Sequence, residues 1–218
     1  MNKPLLIIGN KNYSSWSLRA WLMLKHAGVD FEEMRIALRV PGYELKLSYF
    51  SPAGKVPALR DGELTVWDTL SIAEYVYESH PTMWPADKAA RAVARSISAE
   101  MHSGFTAMRN AMPMNIRGRG RHVATSPELE ADLARIKNIW RDLRLQHALA
   151  GPWLFGEYSI ADAMFAPVVF RFLTYRVFEE GVVDEYMKTV MRDPFMQEWV
   201  KASELEHEVL VLNEVGIH

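Results

Sequence analysis

Residues 51–72 read SPAGKVPALRDGELTVWDTLSI, and the fold turns on them. Pro57 opens a short apolar stretch over residues 57–60, and a second follows over residues 64–66. Between them, Asp61-Gly62 is a dipeptide that favours a tight hairpin turn. Trp67-Asp68-Thr69 then hands over to a helix marked by Leu70, Ala73, Val76 and Tyr77. Upstream, residues 5–8 are a compact apolar run that suits a buried strand. Residues 16–27 carry Leu18, Trp21, Leu22 and Lys25 at helical spacing, and Gly28 ends that helix. Residues 33–38 alternate, with Met34, Ile36 and Leu38 on one face, and residues 42–49 make a short helix. The order is βαβ, helix, ββ, helix, which implies a central sheet with helices on its faces.

Downstream the strand signals fade. Residues 80–87 read HPTMWPAD, and two prolines in so short a stretch mark an irregular linker. Residues 89–112 read as one long helix. Ser126-Pro127 looks like an N-cap followed by proline at the first helical position. Leu129, Leu133, Ile136, Trp140 and Leu143 then recur at alternating steps of four and three, an amphipathic helix. Further helices are expected over residues 159–176 and 194–202. The organisation expected is residues 1–79 as an α/β domain, 80–87 as a linker and 88–218 as an all-helical domain.

Composition narrows the chemistry. Of 218 residues, 49% are hydrophobic and 24% charged, which supplies a core and excludes wholesale disorder. A net charge of −2 gives no global basic field for nucleic acid or an anionic membrane. There is no cysteine, so a disulfide framework, a cysteine-ligated metal site and a protein-borne thiol nucleophile are excluded. Any thiol chemistry must use a thiol from outside. The longest uncharged run, residues 145–156, is well short of the ~18 residues that suggest a membrane span. The N-terminus offers only Leu5 to Ile8 as an apolar core, too short for a signal peptide. A cytoplasmic protein is expected, with no metal, nucleic acid or membrane as partner.

Four segments carry chemistry-bearing residues. Tyr13-Ser14-Ser15-Trp16-Ser17-Leu18-Arg19 lies between the first strand and the first helix, where unpaired N–H groups and the helix dipole stabilise an anion. Taken alone, such serines are more often helix caps. Gly54-Lys55-Val56-Pro57 enters a strand, and a cis Val-Pro step there would turn the Val56 N–H and C=O toward an extended ligand. Taken alone, a proline that simply starts a strand is the better reading. Asp68-Thr69 places an acid and a hydroxyl at a helix start, where free N–H groups could bind a carboxylate and Asp68 an ammonium, but taken alone helix capping is again the better reading. Ser159 and Asp162 have capping spacing, so Asp162 is read as a folding device and not as a catalytic acid.

Together and in this order, these segments resemble the cytosolic glutathione transferase family over nearly the whole chain. Ser14-Ser15-Trp16-Ser17-Leu18-Arg19 is similar to the serine-type active-site loop of the zeta, tau and theta-like classes. Gly28-Val29-Asp30-Phe31-Glu32 is similar to a zeta-class Gly-Ile-Asp-Tyr-Glu at the same distance from the arginine. Two departures stand out: Trp16 replaces the zeta-class cysteine, and Asp68-Thr69 replaces the usual Glu/Gln-Ser pair. The resemblance implies a thioredoxin-like N-terminal domain, an all-α C-terminal helical bundle and glutathione as co-substrate. Ser14 would donate a hydrogen bond to the glutathione sulfur, with Ser15 beside it. Val56, before Pro57, would pair with the cysteinyl backbone. Asp68 and Thr69 would hold the γ-glutamyl group, and Lys55 and Arg39 are candidates for the glycyl carboxylate.

A small electrophile would sit against Trp16, Met101, Phe105 and Arg109, with Met112, Met114 and Phe172 adding apolar wall. Any single methionine is more often core packing. The family implies a homodimer. The activity expected is glutathione transfer. The alternatives are glutathione-dependent isomerisation of the maleylacetoacetate isomerase type, reductive dehalogenation, and a non-catalytic binding or assembly module. Arg117-Gly118-Arg119-Gly120-Arg121-His122, the one dense basic run, reads as a flexible solvated loop.

Overall fold

Leu5–Ile8 (β1), Glu32–Arg35 (β2), Ala58–Asp61 (β3) and Leu64–Trp67 (β4) form one sheet in the order β2-β1-β3-β4. The coordinates are a computed structural model that describes residues 3–216. β1 and β2 are parallel, with Leu5 opposite Glu32. β3 is antiparallel to both neighbours, Leu59 standing opposite Leu6 and Val66. The parallel pair needs a crossover, and Ser15–His26 (α1) supplies it. Tyr43–Phe50 (α2) and Thr69–Ser79 (α3) complete this half.

The two-residue period of β1 divides the interior. Leu6 and Ile8 join Leu59, α1 and α3 in the large core, while Ile7 joins Ile36, Leu47 and Ala58 in a small second one. Helices sit on both faces for that reason, and this is the thioredoxin-like arrangement the sequence predicts. Asp61 and Leu64 close the predicted hairpin. The strand expected over residues 33–38 pairs only as far as Arg35, although Ile36 N–H still reaches the Ile8 carbonyl at 2.8 Å.

The rest is built from Lys88–Ser103 (α4), Thr106–Ala111 (α5), Pro127–Gln146 (α6), Ile160–Thr174 (α7), Val182–Arg192 (α8) and Pro194–Glu204 (α9). All but one residue of α7 is buried, so it is enclosed on every side and forms the axis of the bundle. α1 packs directly on α7, with Arg19 Nε donating to Met164 O at 2.8 Å. That contact joins the two halves.

Two expectations are corrected. The helix expected over residues 89–112 is two helices, broken at Gly104 and Phe105. Phe105 adopts a left-handed conformation, φ 59°, and a Cβ on Gly104 would stand 2.8 Å from Glu100 O. Helix α8 was not expected, although Val183, Tyr186, Met187 and Val190 have amphipathic spacing and are its buried face. Among the described residues, no helix is long and apolar enough to cross a membrane, and no group of three or more His, Cys, Asp or Glu is placed to hold a metal.

Candidate functional site

The site grows out of the turn after β1. Tyr13 and Ser14 N–H both close onto Asn10 O, at 3.2 and 2.8 Å, and Ser14 becomes the N-cap of α1. Its Oγ accepts the Ser17 N–H at 3.4 Å and lies 2.7 Å from Ser17 Oγ. The capping role and a ligand-facing role coexist, because Ser14 also lines a cavity of about 460 Å³. Ser15, Trp16, Arg39, Lys55 and Val56 line that cavity too.

A second cavity, of about 390 Å³, is lined by Trp16, Lys55, Val56, Pro57, Asp68, Thr69 and His102. Trp16, Lys55 and Val56 line both, so the two cavities adjoin as neighbouring lobes along the start of α1 and the Val56–Pro57 step. The Val56–Pro57 bond is cis. Val56 lies just outside the ladder, which ends at Ala58 opposite Ile7 and Trp67. Lys55 and Arg39 are both exposed cations on the first lobe. Asp68 caps α3, accepting Leu70 N–H at 2.8 Å, and takes a left-handed backbone with φ 71°. With ψ 140° it lies outside the left-handed helical well that aspartate tolerates, so the conformation stores backbone strain.

Trp16 is the wall on the helical side. Its ring lies 4.5 Å from the Arg19 guanidinium, 4.9 Å from that of Arg109, and edge-on to His102 at 5.2 Å. Arg19 is fully buried; among the described residues its two terminal nitrogens find no hydrogen-bond partner, and the ring face is its chief compensation. Burial pushes Arg19 well below its usual range, and the charges of Arg109 and Arg171 add to this. Burial likewise brings Arg171 down to about 9, with Arg109 contributing. Two guanidiniums, those of Arg19 and Arg109, stack on this ring and make the wall electropositive, which favours an anion beside it.

The structure does not gather every predicted residue there. Met101 is fully buried and Phe105 nearly so. Met112, Met114 and Phe172 are core residues as well, and none of the five lines either lobe. Arg109 donates to Gly104 O at 2.9 Å and to Met101 O, closing the end of α4, while stacking on Trp16. Asp162 is buried in the first turn of α7, accepting from Ser159 N–H at 2.9 Å, Ser159 Oγ at 3.0 Å, Leu154 N–H at 3.0 Å and Tyr186 O–H at 3.1 Å.

The basic run is not a solvated loop. Arg117 donates to the carbonyls of Glu206 and Glu208, and Arg121 to Glu214 and to Val215 O. These arginines clasp the C-terminal segment against the turn that leads into Ser14, because Glu206 accepts Lys11 N–H at 2.6 Å and Asn12 N–H at 3.0 Å. Through that clasp Leu210 and Asn213 reach the wall of the Ser14 lobe. Sequence reasoning missed both, since nothing local marks them. It also did not pair His102 with Asp68, although His102 Nε2 lies 2.7 Å from Asp68 Oδ2.

Comparison with known proteins agrees with the fold. The family model for the glutathione S-transferase N-terminal domain matches residues 13–79. Maleylacetoacetate isomerase of Rattus norvegicus is 29% identical over 173 residues, 77% of each chain. A probable maleylacetoacetate isomerase of Caenorhabditis elegans is 36% identical over 111 residues, half of each chain. A glutathione transferase homologue from Burkholderia gl BGR1, solved with bound glutathione, superposes with a TM-score of 0.70 at 23% identity, covering 93% of this chain and 98% of that one.

Proposed function

The chain belongs to the glutathione transferase family, and from that premise we propose that it binds glutathione across both lobes and activates its thiol at Ser14 for attack on a small electrophile. The observation that carries this is the position of Ser14: it heads α1 and lines the lobe that meets the Asp68–Thr69 lobe at Trp16, Lys55 and Val56. In this reading the exposed cations Lys55 and Arg39 face the glycyl carboxylate. Asp68 and Thr69 face the γ-glutamyl group, and the Val56 main chain pairs with the cysteinyl unit.

A free thiol titrates near ~8.5, so little is ionised at neutral pH. A donor hydrogen bond, a helix N-terminus and an electropositive wall all favour the thiolate. Lowering the pKa by about two units needs roughly 2.7 kcal/mol. A charge-assisted hydrogen bond with a helix terminus supplies that much. The electrophile then approaches from the Trp16 side, with residues 1–79 holding glutathione, 80–87 linking and 88–218 completing the wall. The same reading makes the protein a cytoplasmic homodimer.

A second reading, glutathione-dependent isomerisation, is supported by the names of the two curated relatives. The two differ in stoichiometry. Transfer consumes one glutathione per turnover, with the thioether retained in product. Isomerisation adds the thiolate reversibly and returns glutathione intact.

The test is titration of bound glutathione by its ultraviolet thiolate absorbance, with and without Ser14→Ala. The expected result is a bound-thiol pKa well below that of free glutathione, restored most of the way by the substitution, with affinity changed little. Binding with an unshifted pKa in the unmodified protein would mean that glutathione is held but not activated. No binding at all would leave the fold as a scaffold.

A further inference from the structure

Ser17 is wholly buried one turn into α1. Its Oγ accepts the Gly9 N–H at 3.0 Å, which places it under the end of β1. A serine hydroxyl has one proton and two lone pairs. Among the described residues, the partner the structure offers the Ser17 proton is Ser14 Oγ, at 2.7 Å. Were Ser14 to donate instead, the Ser17 proton would be left buried without an acceptor, and buried polar groups are rarely left so.

With Ser17 as donor, Ser14 Oγ accepts twice, from the Ser17 hydroxyl and from the Ser17 N–H at 3.4 Å. Both its lone pairs are then engaged, and its own proton is the one left for the cleft that Ser14 lines. A hydroxyl in that state meets a sulfur only as a donor. It has nothing to offer an S–H proton, so it discriminates thiolate from thiol.

We propose that Ser17 is a positioning residue that fixes the direction of the Ser14 hydroxyl: Gly9 N–H holds Ser17, Ser17 donates to Ser14, and Ser14 is thereby committed to donating into the cleft. This rests on the reading of Ser14 as the group that faces the sulfur. Nothing covalent is required of Ser17, and no proton leaves it during the reaction.

The bound-thiol titration tests this in four proteins: unmodified, Ser14→Ala, Ser17→Ala and Ser17→Thr. Affinity for S-methylglutathione, which has no thiol proton, is measured in parallel. Ser17→Ala is expected to raise the bound-thiol pKa by about half to one unit, a roughly three- to tenfold loss of thiolate below the pKa. Its affinity for S-methylglutathione should stay within about twofold, because the thioether sulfur draws little on a fixed donor. Ser17→Thr, which keeps the hydroxyl, should restore the low pKa. If Ser17→Ala does not fold, Ser17→Cys keeps the volume with a weaker donor and should raise the pKa in its place. A Ser17→Ala pKa equal to that of the unmodified protein, with Ser14→Ala raised, overturns the role of Ser17 and leaves that of Ser14 standing. An unchanged pKa in Ser14→Ala overturns the Ser14 reading, and this proposal with it.

Discussion

His102 Nε2 and Asp68 Oδ2 stand 2.7 Å apart across the seam between the sheet-bearing half and the helical bundle. Asp68 belongs to the turn between β4 and α3, while His102 is in the last turn of α4 and packs edge-on against Trp16. One carboxylate therefore caps α3 through Oδ1 and meets the helical half through Oδ2. The pair is partly exposed, so its energetic weight is small and its effect is to orient.

Replacing His102 by Ala should therefore weaken glutathione binding by about two- to fivefold, the range of an exposed charged contact, with kcat nearly unchanged. Calorimetric affinity together with a steady-state KM and kcat checks this. A loss confined to kcat would assign His102 a part in the chemistry instead.

Glu206 is the anchor of the C-terminal segment on the active-site turn. Truncating it to Ala strands two buried N–H groups, those of Lys11 and Asn12. The cost should be about 2–6 kcal/mol, since each of the two orphaned donors costs ~1–3. For a chain of this size that corresponds to a Tm lower by roughly 4–24 °C. The rate should fall too, because the same turn leads into Ser14. Thermal unfolding by circular dichroism reads the first effect, and a Tm equal to that of the unmodified protein would show that the clasp is idle.

Asp162 gives the fold a pH dependence. Burial raises its carboxyl from 3.8 to about 6, against four hydrogen bonds that favour the ionised form. In the window between about 4 and 6 the unfolded chain has lost this proton and the native state keeps it, so stability from this group falls as pH rises. Its full size is roughly 3 kcal/mol from the shift of about two units. Asp162→Asn lacks that slope and should be destabilised at every pH, because its amide faces donors. The gap to the unmodified protein should be wider at pH 4 than at pH 7 in urea unfolding. A gap that widens toward pH 7 would instead mean a carboxylate held ionised. Tyr158, Tyr186, Arg144 and Asp193 are the other titratable groups around it.

Lys55 and Arg39 share the Ser14 lobe as exposed cations. Each change to Ala should weaken glutathione binding by about two- to fivefold, and the loss should shrink in high salt as surface attraction is screened. Titration at two ionic strengths decides it; salt-independent affinity in both variants would place the glycyl carboxylate elsewhere.

Much of this was legible in the sequence because its causes are local. The two-residue alternation over residues 5–8, the Asp61-Gly62 turn and the Ser159–Asp162 capping pair each act within a few residues. The helix over residues 89–112 was misjudged because Gly104 and Phe105 break a pattern whose composition stays helical. The solvated reading of Arg117 and Arg121 failed because their partners lie some 90 residues away.

By itself the sequence determined the four strands, the turn that carries Ser14, the cis-capable Val56–Pro57 step and the absence of any protein thiol. Propensity, turn chemistry and composition act over a few positions, so they can be read one segment at a time. Only the packing of α1 on α7 and the clasp of the C-terminal segment decided the rest. They set His102 on Asp68, stacked Arg19 and Arg109 on Trp16, and brought Leu210 and Asn213 to the cleft. Those contacts join residues distant in the chain, and their free energy comes from burial and paired charges that exist only once the halves meet.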